Sequence, residues 1–497
     1  MRRMRLSQIY DGHEGCVNTI HFDSTGKLLL AGGDSKRLHV WDVQRHKELV
    51  RRETGHRRNI FSAIFLRGLT YAASCSRDGE VRLTHVARNT SAVAYQHART
   101  CYNVVGSTFD PNVFFSCSED KTVRRFDLRG VGGLDQGNVL ESETTGYNTF
   151  ALHPRREELM LVGCSSDPVI MLYDQRMTRS PLLKYAPYHL LSQSAKNVGS
   201  RKLGRVTCVK FSSSGDSFIA SYANDYIYSF DTFKERSDMD GIAKIRIPKS
   251  SDAEPKVIWG SRWEDTGPLS RVVGGCRKDE AAGSGDEGAG GSASNLVGEE
   301  GYDVEGINAP ARVFKGHRNG RTVIKQCNYF GYNDECVVSG SDDGRIYFWE
   351  SGTGRLIQAL NADHRVVNCV QTPPTHNNRC PPLLLASSGI DYSVKLWEPN
   401  NSKPTHPVGG GIDALHVQPV SATEFSSAPI VQETLGQIVE RNEQMRVRSI
   451  ENNELRLPPS EFLQRMIAIV RIQRRMRRMR QEGGGGRKEE NDDQPTV

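Results

Sequence analysis

Histidine and aspartate recur along this chain at spacings that invite a reading as proton-transfer or metal chemistry. Glycine precedes histidine at Gly12-His13, Gly55-His56 and Gly316-His317, and His97 and His364 stand at the same point of the pattern without the glycine. An aspartate then falls six residues ahead of a bulky position, at Asp78, Asp120, Asp167, Asp343 and Asp391. A catalytic His–Asp couple needs a nucleophile beside it, and no nucleophile is spaced to serve. The same couple has a mechanical use. The carboxylate accepts hydrogen bonds at a tight turn, the imidazole donates to it from a neighbouring strand, and the aromatic that follows packs between repeats. On this reading His13, His56, His317, Asp120, Asp343 and Asp391 form a turn lock with Trp41, Trp349 and Trp397, and no catalytic residue is expected.

Other chemistry is equally sparse. The eleven cysteines are odd in number and no two are spaced as C-x-x-C, while Cys75, Cys117, Cys164 and Cys208 sit in strand-like segments beside small residues. They read as buried thiols rather than as bridges or metal ligands. Gly283-Ser284-Gly285-Asp286-Glu287-Gly288 matches the dinucleotide pattern G-x-G-x-x-G, but no strand precedes it and no helix follows, so the match is a coincidence. No metal or cofactor is expected, and the chain is expected to be non-enzymatic. A net charge of +6 over 497 residues does not mark a direct nucleic-acid binder. No apolar run approaches the roughly 18–20 residues of a membrane span, and the basic start, Met1-Arg2-Arg3-Met4-Arg5-Leu6, lacks the apolar stretch of a secretory signal. Residence in nucleus and cytoplasm, away from membranes, is the expectation.

The elements that carry these residues repeat. Strand-like segments end in an aromatic and an acid at Trp41-Asp42, Phe126-Asp127, Tyr173-Asp174, Phe230-Asp231, Trp349-Glu350 and Trp397-Glu398, and a seventh copy puts Thr84 where the aromatic should be. Most gaps are near the roughly 40–45 residues of a WD repeat. The fold class expected is therefore all-β: a seven-bladed WD-repeat β-propeller with a disordered insertion and a short helical C-terminal tail. Residues 6–231 read as blades one to five, 232–311 as a largely disordered acidic and Gly-rich insertion, 312–399 as blades six and seven, and 400–497 as the tail. The sequence turns loop-like after Trp397, so the last blade is one strand short and Leu6 to Tyr10 is the natural segment to close the ring.

The tail shows two helical patterns, near 432–444 and 461–481. The second begins after Pro459-Ser460, ends at the Gly483–Gly486 run, and has an apolar face with arginines crowding its second half. Three readings of it stand: docking on the propeller, a nuclear-localisation or acidic-partner patch, and a calmodulin-binding helix. For the last, Ile472, Gln473 and Arg477 resemble an IQ motif, although Arg478 and Glu482 depart from it.

Several stretches exceed a generic repeat: Gly15–Ile20, Gly55–Ser62, Ser221–Tyr228, Asp265–Pro268, Gly316–Asn319, Val366–Cys369, Ser387–Tyr392, and in the tail Arg441–Glu443 and Phe462–Ala468. Together they resemble the WD-repeat substrate receptors of cullin-4 RING ubiquitin ligases, nearest to the member that carries both WD repeats and an IQ motif. The resemblance implies a non-catalytic, substrate-recognition subunit in the ubiquitin conjugation pathway, which binds the damaged-DNA-binding adaptor through its propeller. The family's adaptor signature is a strand pair ending in Trp-Asp-x-Arg. Phe114–Arg129 and Leu161–Arg176 match it with another aromatic for Trp, which assigns adaptor binding to Arg129, Arg176, Asp127 and Asp174. Family members also carry a helix ahead of the first blade. The ten residues before Asp11 have no room for both that helix and a closing strand, so the expectation is either weaker adaptor binding or a chain without its true N-terminal extension. A scaffold or transcriptional coactivator outside any ligase, binding nuclear receptors or calmodulin, is the alternative. Substrate contacts would fall on loops, with Arg57, Arg58, Arg318 and Asn319 as candidates.

Overall fold

The structure, a computed structural model, describes residues 4–130, 135–191, 204–233, 307–374, 383–399 and 434–451. Among them the strands form seven sheets, each built on four antiparallel strands running outward from a common centre, one of them with a fifth strand added in parallel at its edge. The first strands of successive blades are neighbours in a closed cycle, from Val17–Phe22 around to Val367–Gln371, which lies beside Val17–Phe22 again.

Burial explains the sequence pattern. The second strands are buried at every position, as in Val113–Ser118 and Leu159–Cys164, or at all but the first, as in Leu28–Gly33, because a neighbouring blade covers each face. The outermost strand Lys47–Glu53 alternates exposed and half-buried residues, as a one-sided edge should. Thr84 takes the aromatic's place in blade two without breaking the ring. It is buried and shares a hydrogen bond with Ser91 Oγ at 3.1 Å.

Polar side chains stitch the blades together around the centre. In six blades the first strand carries a register shift at its second residue: Asn18, Phe61, Tyr102, Asn148, Thr207 and Asn368 are each skipped in the pairing. The bulge turns side chains toward the next blade. Asn18 Nδ2 donates to Ile60 O at 3.1 Å, and Asn148 Nδ2 to Val206 O at 3.2 Å. Thr19 Oγ1 and Thr149 Oγ1 accept from Ala63 N and Val209 N at 3.2 and 3.3 Å. Ser388 Oγ donates to Val17 O at 3.0 Å and joins the last blade to the first.

The seventh blade is completed as the sequence suggests. Met4–Tyr10 pairs antiparallel with Val394–Pro399 as its outermost strand. Met4 and Tyr10 are buried, Met4 in the core between blades six and seven and Tyr10 beside Trp41 of blade one.

The interruption corrects the sequence reading. Arg312–Phe314, assigned there to blade six, is the outer strand of blade five and pairs with Ile227–Asp231. The insertion therefore splits blade five between its third and fourth strands and does not separate blades five and six. Its return also extends blade four, where Ile307–Asn308 pairs parallel with Leu183–Tyr185. Three- and two-residue strands lacking an aromatic-acid end leave no periodic signal, which is why the boundary was misplaced. Residues 234–306 lie outside the described residues, as does the G-x-G-x-x-G match. None of the nine cysteines described is disulfide-bonded.

Removing residues 1–10 should leave the edge of Val394–Pro399 unpaired and uncover the pocket that Tyr10 fills. At a cost of about 2–5 kcal/mol for each large buried side chain lost, the truncated protein should unfold at clearly lower urea and self-associate through its open edge. Denaturation and size-exclusion chromatography read this. A monomer with wild-type stability would exclude a closing role for the segment.

Candidate functional site

In an antiparallel meander, loops joining strands one to two and three to four emerge at one end, and the two-to-three turns and blade-to-blade loops at the other. The propeller thus has two faces of different make-up.

The first face carries Arg129 and Arg176, each two residues past the third strand of its blade. They are held in matching geometry. Arg129 forms a fork on Asp127, with Nε to Oδ1 at 2.9 Å and Nη2 to Oδ2 at 2.8 Å, and Arg176 repeats it on Asp174 at 3.0 and 2.7 Å. In both, the arginine's own backbone N–H also donates to Oδ1 at 2.9 Å. Arg129 reaches Asp110 as well, at 2.7 Å. These hydrogen bonds, from the arginine side chains first, hold the Asp127 and Asp174 carboxyls down at about 2. The arginine side chains are nonetheless 56% and 72% exposed. The fork engages Nε and Nη2 and leaves Nη1 for an outside acceptor. Blade one, which has Gln44 at the equivalent point, places Arg45 on Asp42 at a longer 3.4 Å.

Apolar side chains stand at the same end of the strands. Phe109 lies in the loop beside Asp110, and Met177 and Leu182 follow Arg176; all three are exposed, Met177 to 73%. Exposed aromatics and methionine next to forked arginines are the composition of a protein-binding surface. Sequence reading had the arginines and missed the apolar residues, which look like ordinary loop positions without a face to assign them to.

The opposite face bears the turn lock, and it is only partly built. His97 Nδ1 meets Asp120 at 2.7 Å and its Nε2 meets Ser116 Oγ at 2.8 Å. His56 sits likewise between Asp78 and Ser74, and His364 contacts Asp391 at 2.9 Å. Burial lowers the His97 pKa, but the bonds to Asp120 and to the Cys101 thiol outweigh it and raise it to about 9. His13 departs from the expected lock: blade one offers Ser35 instead of an aspartate, at 3.3 Å, and burial, then His39 and Arg51, push its pKa to about 2. His317 and Asp343 depart further. Among the described residues neither ring nitrogen of His317 has a hydrogen-bond partner, and burial followed by Lys325 lowers its pKa to about 4. The ring instead meets Trp349 edge-on, with centroids 5.5 Å apart. Asp343 accepts from Tyr347 Oη at 2.7 Å and from Asn442 Nδ2 at 3.0 Å.

Asn442 belongs to the one long helix described, α1, Leu435–Glu451. Thr434 caps it reciprocally with Gln437, backbone N–H to side chain in both directions at 2.9 and 3.3 Å. The helix runs seven residues past the end expected from sequence, and it docks across blades five and six. Leu435 and Ile438 are buried in the core with Trp349 and Tyr347. Asn442 Nδ2 also donates to Gly316 O at 2.9 Å and Tyr347 Oη at 2.8 Å. Arg446 lies over the Tyr226 ring at 4.5 Å while Glu443 accepts from Tyr226 Oη at 2.8 Å. Gly316 has φ +103°, and a Cβ there would come within 2.8 Å of Val439, so only glycine admits the helix this closely. The helix takes over in blade six what the His–Asp couple does in blades two and three.

Of the candidate substrate contacts, Arg57 and Arg58 are exposed on this face, and Arg318 is half-buried under the helix, its Nη1 donating to Met445 Sδ at 2.8 Å. Asn319 is a correction. It is buried, and its Nδ2 bonds Thr207 Oγ1, Ser221 Oγ and Tyr222 O, each at 3.0 Å, because the loop folds inward to tie blade five to blade six. Ile472, Gln473 and Arg477 lie outside the described residues.

This architecture defines a WD-repeat β-propeller, and the family WD domain, G-beta repeat matches residues 4–42 and 308–350. The chain is homologous to DDB1- and CUL4-associated factor 6, being 31% identical to the Homo sapiens protein over 54% of this chain and 33% of that one. It is also similar to WD and tetratricopeptide repeats protein 1 of Homo sapiens, 23% identical over 80% of this chain and 85% of that protein, and to Protein ALTERED SEED GERMINATION 2 of Arabidopsis thaliana, 28% identical over 46% and 35%. The chain spans about a third of the length of the factor 6 relatives.

Two outcomes follow for stability. Asn442→Leu removes partners from buried Asp343 and Gly316 O and should cost about 1–3 kcal/mol by urea denaturation. The pH dependence has two signs. His13 and His317 are held neutral in the fold, so below an unfolded pKa of about 6.5 the unfolded state gains protons and stability falls; His317→Gln should flatten that acid limb. His97 contributes fully below about 6.5 and loses its contribution as pH rises through 9, so the stability gap between wild type and His97→Gln should close between pH 6 and 9.5.

Proposed function

We propose that this chain is the substrate-recognition subunit of a cullin-4 RING ubiquitin ligase, non-catalytic itself, and that it binds the damaged-DNA-binding adaptor with the face bearing Arg129 and Arg176. One observation carries the reading: adjacent blades present the same Asp–Arg fork at the same end of their strands, with exposed Phe109 and Met177 beside it. A fork needed only for its own turn would not have to be two-thirds in solvent, and exposed ion pairs add little to stability. Homology to a relative named for association with DDB1 and CUL4 supports the same assignment. The opposite face, with its helix and loops, is then free to take the substrate. Nucleus and cytoplasm are where such a subunit would act.

Arg129→Glu combined with Arg176→Glu should weaken binding of the purified adaptor by at least about tenfold in a titration, since a central interface arginine is commonly worth 2 kcal/mol or more. Thermal unfolding should change little, because both side chains are solvent-exposed. Unaltered adaptor affinity in a folded double variant would remove this face from the interface.

A further inference from the structure

On the helix-bearing face, the loop after Gly316, the turn at His364 and helix α1 enclose a cleft of about 340 Å³. Arg318, Arg321, Arg365 and Arg441 converge on it from three separate parts of the chain, with His364 and Met445 completing the wall. The carboxylates beneath are already matched. Asp342 is bound by Lys325 at 2.9 Å and by the backbone N–H groups of Gly320 and Arg321, and Asp343 by Arg345 at 3.0 Å as well as by Tyr347 and Asn442. The rim guanidiniums of Arg321 and Arg365 are thus in excess. Among the described residues no carboxylate pairs with the side chain of Arg321 or Arg365, and both are exposed. Like charges crowd one another here: after burial, the Arg321 charge and, more weakly, that of Arg441 lower the pKa of Arg318 against the pull of Asp342 and Asp343. Such crowding is unfavourable alone and is relieved by an anion.

We propose that this cleft binds a peptide segment with clustered negative charge, carried by phosphorylated serine or threonine or by adjacent carboxylates. This deepens the receptor reading by naming the chemistry of the substrate, and it rests on that reading only for the fate of the bound protein. Guanidinium forks suit phosphate and carboxylate oxygens, and converging arginines are how proteins read phosphorylated peptides. The volume holds one or two side chains, and the Met445 thioether supplies an adaptable apolar wall for the neighbouring residue. Positive charge is also local. Asp391 beside His364 and Glu443 on the helix bound it, whereas a nucleic-acid backbone needs a continuing basic track.

The test uses the full chain without adaptor and three fluorescein-labelled nonapeptides with identical neutral flanks, differing in two central residues: phosphoserine, glutamate or glutamine. Fluorescence anisotropy should show the phosphoserine or the glutamate peptide binding at least about tenfold tighter than the glutamine peptide, and which of the two binds tighter identifies the source of charge. Arg321→Glu with Arg365→Glu should remove that preference without moving the melting temperature, since neither side chain has a partner among the described residues. Equal binding of charged and neutral peptides, no binding of either charged peptide at millimolar concentration, or indifference to the double variant would overturn the proposal. So would a twelve-residue oligouridine that outcompetes both peptides and is lost in the same variant. Adaptor titration through Arg129 and Arg176 reads the other face, so failure in one experiment leaves the other standing.

Discussion

Closure of the ring is the constraint on which the molecule depends. Each sheet has apolar residues on both sides, so no blade is stable until two neighbours cover it, and the first and last blades must find each other. They are joined by the strand pairing of Met4–Tyr10 with Val394–Pro399, by the bond from Ser388 to Val17 O, and by a shared apolar core that includes Val17, Trp41, Cys369 and Leu396. The recurrent bulge in the first strands belongs to the same logic. It breaks sheet pairing at one residue and directs asparagine and threonine side chains across the gap, so the crowded centre, where backbone groups are shielded from water, is held by specific hydrogen bonds as well as by packing.

The two ends of the strands divide the labour. One end presents arginines already oriented by their own aspartates, with apolar side chains around them, so little side-chain freedom is lost on association. The other end is partly covered by a helix that has become part of blade six. Where blades two and three use histidine and aspartate at this end, blade six has surrendered its aspartate to Asn442 and left His317 buried and neutral. The helix is integral to that blade, and the cleft beside it inherits residues from both.

Much of the fold was legible because its signals are periodic. Aromatic-acid pairs at regular intervals identified all seven repeats, even with Thr84 replacing the aromatic, and the missing strand after Trp397 pointed to the N-terminus. The pattern failed where structure is short or non-periodic. Arg312–Phe314 and Ile307–Asn308 carry no repeat signature, so the insertion was set between blades and not within one. Gly-His pairs were equally legible, but what each histidine bonds was not: whether it meets an aspartate depends on residues such as Ser35 or Asn442 that only the folded chain brings near. Asn319 looked like a loop residue from its neighbours Arg318 and Gly320, and its burial comes from a loop that turns into the blade junction. Phe109 and Met177 gained meaning only once the strand ends assigned them to one face.

The closing strand has a consequence for biosynthesis. Residues 4–10 leave the ribosome before the rest of the propeller, yet their partner strand, 394–399, is among the last of it to emerge. At roughly 5–20 residues per second the nascent chain carries that segment without its sheet for about 20–80 seconds. Blade five is likewise held incomplete until the residues beyond the insertion appear. Throughout that interval apolar strands with open edges are exposed to other chains, so pairing between chains competes with closure of the ring.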